Sequence, residues 1–187
     1  MNFRSAISLP VVGRLLAVRW MGQLTDGIFQ SSLASFLLFS PERQPDAQSA
    51  AVAFAVVLLP YSLVGPFVGT ILDRVSRQRV IVFSNLFRAF TLIFIAGLIR
   101  NGATGVELTI FVLVAFGVNR LILAGLSAGL PLLLDTTGTQ GRNILVSINA
   151  TAVTGGTVFV VLGGGIGIGI RGLLEGSVDA TKLTEFW

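Results

Sequence analysis

The stretch from Ile144 to Ile170, ILVSINATAVTGGTVFVVLGGGIGIGI, decides the class of this protein. It contains no acidic or basic side chain, and at 1.5 Å per residue it would form a helix of about 40 Å. The hydrocarbon core of a bilayer is about 30 Å thick and is crossed by about 20 apolar residues. The stretch therefore predicts a transmembrane helix.

The composition of the whole chain extends this prediction. Of the 187 residues, 53% are hydrophobic and only 12% are charged, and the mean hydropathy is +0.85. Soluble domains carry about 25% charged residues, so a soluble chain of this length could not bury so much apolar surface in one core. The chain has no cysteine and no histidine, which removes thiolate ligands, the commonest metal ligand and the commonest proton shuttle. We expect no cofactor and no metal.

Four further apolar stretches are long enough to cross a bilayer, and charged or turn-rich segments separate them. Continuously apolar runs such as AVAFAVVLL (residues 51–59) argue against a transmembrane barrel, whose strands alternate every second residue. We predict an all-α membrane protein, an antiparallel transmembrane helical bundle within residues 1–170. Its spans cover about residues 15–39, 50–72, 80–99, 108–134 and 144–170. Residues 171–187 are predicted to be a polar outer loop and the truncated start of a sixth span.

The basic residues indicate the orientation of the bundle. With the amino terminus in the cytoplasm, most of them lie at or near the cytoplasmic side, in agreement with the positive-inside rule. The inner group is Arg4, Arg14, Arg19, Arg74, Arg77, Arg79 and Arg142, and the outer group is Arg43, Arg100, Arg171 and Lys182. Because these residues punctuate apolar runs, the net charge of +4 does not indicate a nucleic-acid partner. We expect a multi-pass protein of the cell membrane, with the lipid bilayer as its partner.

The loop after the second predicted span reads GTILDRVSRQR, from Gly69 to Arg79. It resembles the signature loop of the major facilitator superfamily, G-x-x-x-D-R-x-G-R-R, and occupies the same position. The matching residues are Gly69, Asp73, Arg74 and Arg77. The resemblance implies a conformational latch, in which the aspartate pairs with a nearby arginine and with a helix end of the other half-molecule. Positive-inside topology alone would account for the arginines but not for Asp73.

Two later segments resemble the same family less closely. GVNRLILAGLSAGLP, from Gly117 to Pro131, places an arginine before small residues at midspan, as in the family's fourth helix. The fifth span is as glycine-dense as the fifth-helix signature of the antiporter branch but lacks its Gly-Pro pair. We therefore interpret its glycines as packing positions that let a second helix approach closely. The predicted packing glycines are Gly65, Gly155, Gly156, Gly163, Gly164 and Gly165.

Asp26 is the one carboxylate deep inside a predicted span. A lone charge at midspan costs roughly 2.5–3.5 kcal/mol, so it needs a partner, a water-filled cavity or a proton. Arg120 is the candidate partner, since the resemblance puts spans one and four beside one central cavity. Proton uptake by Asp26 would release Arg120 for coupled transport, and a static ion pair is an equal alternative. Arg88, within partial snorkelling reach of the cytoplasm, and Asn119 are further candidates for this proton or substrate cavity.

The resemblance covers the chain, but the chain covers less than half of a family member, in which two six-helix halves bind the solute between them. We expect a fragment of a secondary active transporter that moves an unknown small solute by alternating access. Export is slightly favoured over import, and it would be proton-coupled export if Asp26 takes up a proton. It would need a missing second half or self-association. A five-helix accessory or scaffold protein without transport activity is the alternative. A membrane enzyme or channel is a third class, although no phosphate loop or nucleophile–base set appears.

Overall fold

The computed structural model describes residues 3–38, 69–70, 73–102, 106–134 and 138–184. Within these ranges every regular element is helical. The helices are α1 (Phe3–Ile7), α2 (Pro10–Leu38), α3 (Arg77–Arg100), α4 (Val106–Gly129) and α5 (Gly138–Thr184), with a 3-10 turn at Leu130–Leu132. Among the described residues, three segments are long and apolar enough to cross a membrane: Arg77–Arg100, Glu107–Leu132 and Gly138–Leu173. The prediction of an all-α membrane protein is confirmed.

The three membrane-length segments coincide with the third, fourth and fifth predicted spans. The first and second predicted spans are not among them. α2 has the length of a span, but charged residues such as Arg19 and Asp26 lower its hydropathy, and it is not among the three. It begins at Pro10, whose fixed φ and missing N–H suit the first helical position. The crossing at residues 15–39 stays a prediction. The span at residues 50–72 lies outside the described residues, apart from positions 69 and 70.

α5 is longer than the fifth predicted span at both ends. It begins at Gly138 and continues past Ile170 to Thr184, whereas the sequence predicts a polar outer loop from residue 171. The continuation, RGLLEGSVDATKLT, contains no proline and several residues of high helix propensity, among them Leu, Ala, Glu and Lys. Hydropathy predicts where the apolar stretch ends, whereas a helix ends where a helix-breaking residue or a turn stops its hydrogen bonding. The helix α5 therefore continues beyond the apolar stretch from which its end was predicted.

Glycine and proline account for the ends of α3 and α4. Gly102 follows α3 with a φ of +74°, and its N–H donates to the carbonyl oxygen of Ile99 at 3.0 Å. This left-handed residue closes the helix at little cost, because glycine has no Cβ. After α4, Pro131 lies in the 3-10 turn, where the N–H of Leu133 donates to the carbonyl oxygen of Leu130 at 3.1 Å. Proline cannot donate an N–H bond to extend α4.

Two compact units contain the helices, and the first comprises Met1–Pro45 and Thr136–Trp187. In this α2–α5 unit, α2 packs along α5, and the short α1 contacts both. Residue numbers rise together along the contact, from Trp20 beside Gly155 to Ser31 beside Gly167. α2 and α5 therefore run parallel, as the first and fifth crossings of an alternating bundle would.

The second compact unit comprises Asp46–Asp135, and in it α3 packs against α4. The buried residues of α3 recur every three or four positions and form one face: Val80, Ser84, Arg88, Thr91 and Ile95. Large apolar side chains cover its outer face: Val82, Phe83, Leu86, Phe87, Phe90 and Ile93. Such a face suits lipid, which is as apolar as these side chains. The rings of Phe94 and Phe111 meet between the two helices, with centroids 4.5 Å apart.

Candidate functional site

A buried arginine lies at the midpoint of α3. Arg88 is 4% exposed, and it is about 16 Å along the axis from Arg77, where the helix begins. Its Nη1 donates a hydrogen bond to Oδ1 of Asn119 on α4, with a nitrogen–oxygen distance of 3.3 Å. The guanidinium therefore bonds across to a second helix.

Two polar neighbours of Arg88 bond to their own helix. Oγ1 of Thr91 donates to the carbonyl oxygen of Phe87 at 2.9 Å. Nδ2 of Asn85 donates to the carbonyl oxygen of Ile81, also at 2.9 Å. A hydroxyl or amide that bonds one turn back along its own helix needs no second helix. The bond from Arg88 differs, because it joins α3 to α4.

Two charged side chains are buried on one face of α2. Asp26 is 3% exposed and Arg19 is 7% exposed. Because they are two helical turns apart, they lie within about 20° of each other around the axis and about 10.5 Å apart along it, with Gln23 between them. The positive-inside pattern treats Arg19 as a cytoplasmic residue and gives no reason for its burial. The spacing of Arg19, Gln23 and Asp26 at i, i+4 and i+7 is the signal that could have identified it.

A neighbouring face of α2 meets α5 at backbone contact distance. A Cβ added to Gly27 would collide with the carbonyl oxygen of Val160 and would lie 2.8 Å from the nitrogen of Gly164. A Cβ added to Gly163 would collide with the carbonyl oxygen of Leu24 and would lie 3.0 Å from its carbonyl carbon. Backbones approach this closely where small residues lie at the interface. The glycines therefore set the separation of α2 and α5.

Trp20 anchors the same contact near its amino-terminal end. Its Nε1 donates to the carbonyl oxygen of Ala152 at 3.2 Å. Its ring stacks on Phe159, with centroids 5.6 Å apart and an interplanar angle of 14°. The indole also covers Gly155, where an added Cβ would lie 2.5 Å from Cε2 of the ring. The bulk of Trp20 is accommodated because Gly155 has no side chain.

The predicted packing glycines divide according to their position on α5. Those that face α2 side chains or backbone are Gly155, Gly156 and Gly163. A Cβ on Gly164 would be 4.0 Å from the carbonyl oxygen of Gly27, an ordinary contact, and a Cβ on Gly165 would have no atom of the described residues within 4 Å. Gly65 lies outside the described residues. Sequence reasoning missed Gly27, because it considered the glycine-dense span and not its partner helix, and it missed Gly167 within that span, because spacing alone does not show which glycines face α2.

The signature loop leads directly into α3. Gly69, Asp73 and Arg74 are exposed, and α3 begins at Arg77 after Ser76 departs from helical geometry with φ −58° and ψ 130°. Arginines occupy the first turn of α3, where the helix dipole disfavours a cation by about 0.3–1 kcal/mol. Nε of Arg77 is buried without a hydrogen-bond partner among the described residues. Helix stability therefore does not explain the basic residues of this loop.

Two mycobacterial proteins are similar to almost the whole chain. They are uncharacterized MFS-type transporters of Mycobacterium bovis and Mycobacterium tuberculosis, each 41% identical to the chain over 184 residues. The chain is a relative of the major facilitator (MFS-type) transporters. The match covers 98% of the chain, which spans about 40% of the length of these curated relatives. No family model and no solved structure matches the chain.

In this relative of MFS-type transporters, the predicted cavity residues fall into both compact units. Asp26 belongs to the α2–α5 unit, whereas Arg88, Asn119 and Arg120 belong to the α3–α4 unit. The structure joins Arg88 to Asn119, and Arg120 is an exposed residue of α4. The pair of Asp26 and Arg120 stays a prediction. Among the described residues, no group of three or more Asp, Glu, His or Cys side chains could hold a metal ion.

Proposed function

We propose that this chain forms the amino-terminal helical bundle of a secondary active transporter in the cell membrane. The protein moves a small solute outward by alternating access and couples this movement to proton entry. The names of the two relatives support a transport role. Because the chain spans about 40% of their length, the solute would contact this bundle on one side and the remaining part of the protein on the other.

The burial of Asp26 is the observation that carries this proposal. A charge at midspan costs roughly 2.5–3.5 kcal/mol, and such residues usually mark an ion, proton or solute pathway. The closest backbone contact with α5 is at Gly27, about 100° around the helix from Asp26. Asp26 shares its face with Arg19 and with Gln23, whose side chain meets α5 at Gly156. We assign Asp26 as the proton acceptor of the transport cycle.

The helix directions support an alternating bundle. α2 and α5 run parallel, whereas α3 and α4 run antiparallel, because Arg88 meets Asn119 and Phe94 meets Phe111. If α3, α4 and α5 cross the membrane in succession, α5 can be parallel to α2 only when an odd number of crossings separates α2 from α3. The span predicted at residues 50–72 would supply that crossing. A cytoplasmic amino terminus then gives the signature loop a cytoplasmic location.

The signature loop serves as the conformational latch in this proposal. Asp73 and Arg74 are exposed, and so are available to a helix end from the remaining part of the protein. Contact with that helix would hold one access state, and its loss would permit the other. Gly69 is compatible with the same role, since no atom of the described part of the chain lies within 4 Å of a Cβ added there.

Proton coupling tests the assignment of Asp26. The intact protein and its Asp26→Asn variant are compared in everted membrane vesicles, with a fluorescent probe of the pH gradient. Ethidium, tetraphenylphosphonium and a mixture of sugars, amino acids and organic acids are offered as solutes. We expect a solute-dependent proton flux in the unmodified protein and its loss in Asp26→Asn, because an amide cannot take up the proton.

Glu107→Gln is the matched control, since it neutralises an exposed carboxylate in the first turn of α4. Its proton flux should equal that of the unmodified protein. Unchanged flux in Asp26→Asn would exclude Asp26 as the coupling residue. An equal loss in both variants would show that the effect is not specific to the buried carboxylate.

A further inference from the structure

We propose that Arg88 is a positioning residue, which holds Asn119 and thereby fixes the rotation of α4 that presents Arg120. The role of this arrangement in transport rests on the proposed function. This assignment separates Arg88 from the residues that would face the solute.

The burial of Arg88 argues against direct contact with a solute. The chain spans about 40% of the length of its relatives, so a residue that faces a cavity shared with the remaining part should be accessible here. Arg88 is 4% exposed, which means that the chain itself covers the guanidinium. Arg120, on α4 of the same unit, is exposed. Of the two arginines, Arg120 is therefore the more accessible one.

The bond to Asn119 constrains α4 because the buried residues that α4 contributes near it are apolar. The neighbouring buried residues of α4 are Val112, Ala115 and Ile122, and apolar contacts of this kind do not specify one rotation. Helices in a bilayer gain no hydrophobic driving force from pairing, so a directional polar bond between them weighs more heavily. Arg88 supplies such a bond at midspan. Its planar guanidinium presents donors in a fixed geometry.

Asn119 transmits this constraint to its neighbour in sequence. Consecutive residues of a helix are about 100° apart around the axis. When Oδ1 of Asn119 accepts a bond from α3, the direction of Arg120 is determined as well. If the bond is removed, α4 becomes free to rotate, and Arg120 loses its fixed direction without any change in its own chemistry.

Cross-linking measures the rotation directly, because the natural chain contains no cysteine. Phe94→Cys is combined with Phe111→Cys, whose ring faces it, or with Ile110→Cys, whose side chain is exposed. A short bis-maleimide is applied to membranes that contain the chain. The ratio of the two yields reports which face of α4 meets α3. We expect the pair with position 111 to dominate.

The ratio is then measured in variants of the polar pair. Arg88→Gln and Asn119→Leu should each lower the yield at position 111 relative to the yield at position 110 by about three- to eighteen-fold. This range corresponds to the free energies measured for hydrogen bonds between helices in membranes. Arg88→Lys keeps a cationic donor and should retain most of the ratio. The exchange Arg88→Asn with Asn119→Arg should restore it. The matched control is Thr91→Val, which alters a buried polar residue that bonds to its own helix.

An unchanged ratio in Arg88→Gln and Asn119→Leu would overturn the proposal, and so would failure of the exchanged pair to restore the ratio. If Arg88→Gln does not accumulate in the membrane, Asn119→Leu and the exchanged pair still decide the matter. A low ratio in the unmodified background would contradict the described contact itself. The measurement needs no transported solute, so it succeeds or fails independently of the Asp26 assay.

Discussion

The contact between α2 and α5 predicts that a single methyl group at Gly27 destabilises the protein. A Cβ at this position would collide with the carbonyl oxygen of Val160 and would lie within 3 Å of two further backbone atoms. Backbone atoms of a helix cannot turn aside as a flexible side chain can. Gly27→Ala therefore requires α2 and α5 to move apart along their closest approach.

A comparison with Gly165→Ala isolates the cost of the steric collision at Gly27. Replacing a helical glycine by alanine normally stabilises a helix by about 0.5–1 kcal/mol. At Gly165 that gain should be the whole effect, since in the part of the chain that the structure describes no atom lies within 4 Å of the added Cβ. At Gly27 the same gain is opposed by overpacking, which costs about 1–3 kcal/mol. The free energies of unfolding of the two variants should differ by that amount.

Thermal unfolding in detergent, followed by size-exclusion chromatography of the heated chain, measures the difference. For a chain of this size, 1 kcal/mol corresponds to about 2–4 °C in Tm. Gly27→Ala should therefore unfold roughly 2–12 °C below Gly165→Ala. Gly156→Ala should fall between them, because its Cβ would meet only the flexible side chain of Gln23 at 3.4 Å. Equal Tm values for Gly27→Ala and Gly165→Ala would refute the described packing.

Two further predictions concern the same bundle. Trp20→Phe should lower the free energy of unfolding by about 0.6–1.7 kcal/mol, because it loses the bond to Ala152 and keeps a ring against Phe159; Trp20→Leu should cost more, and equal Tm values for the two variants would contradict this. For the orientation, Ser8→Cys should react with an impermeant maleimide only in everted vesicles, and Asn101→Cys only in intact spheroplasts. Labelling of both from one side would exclude the predicted topology.

Hydropathy and one short motif predicted much of this protein. The third, fourth and fifth spans coincide with helices of membrane length, because the cost of exposing polar groups to lipid is set residue by residue along the chain. The resemblance carried by residues 69–79 is confirmed by the two transporter relatives. The end of α5 was not predicted, since a helix can continue beyond the apolar region that lipid requires.

The roles of individual polar and glycine residues depended on neighbours that no local pattern contains. Gly27 lies outside the glycine-dense span, and its importance comes from Val160, which is distant in sequence. Arg19 carries the charge expected of a cytoplasmic arginine, yet it is buried on the face of Asp26. The contact at Gly27 follows from no local pattern, whereas the burial of Arg19 is signalled by its spacing from Gln23 and Asp26 and not by its charge.

The sequence by itself determined that the chain is helical and embedded in a membrane, since transfer into lipid depends mainly on the apolar content of each stretch. It also determined the family through the residues of one loop. Only the tertiary structure decided that Gly163 is a contact and Gly165 is not, and that Arg88 binds Asn119. These assignments depend on the rotation and depth of each helix relative to its neighbour, which are set by packing between segments far apart in the chain.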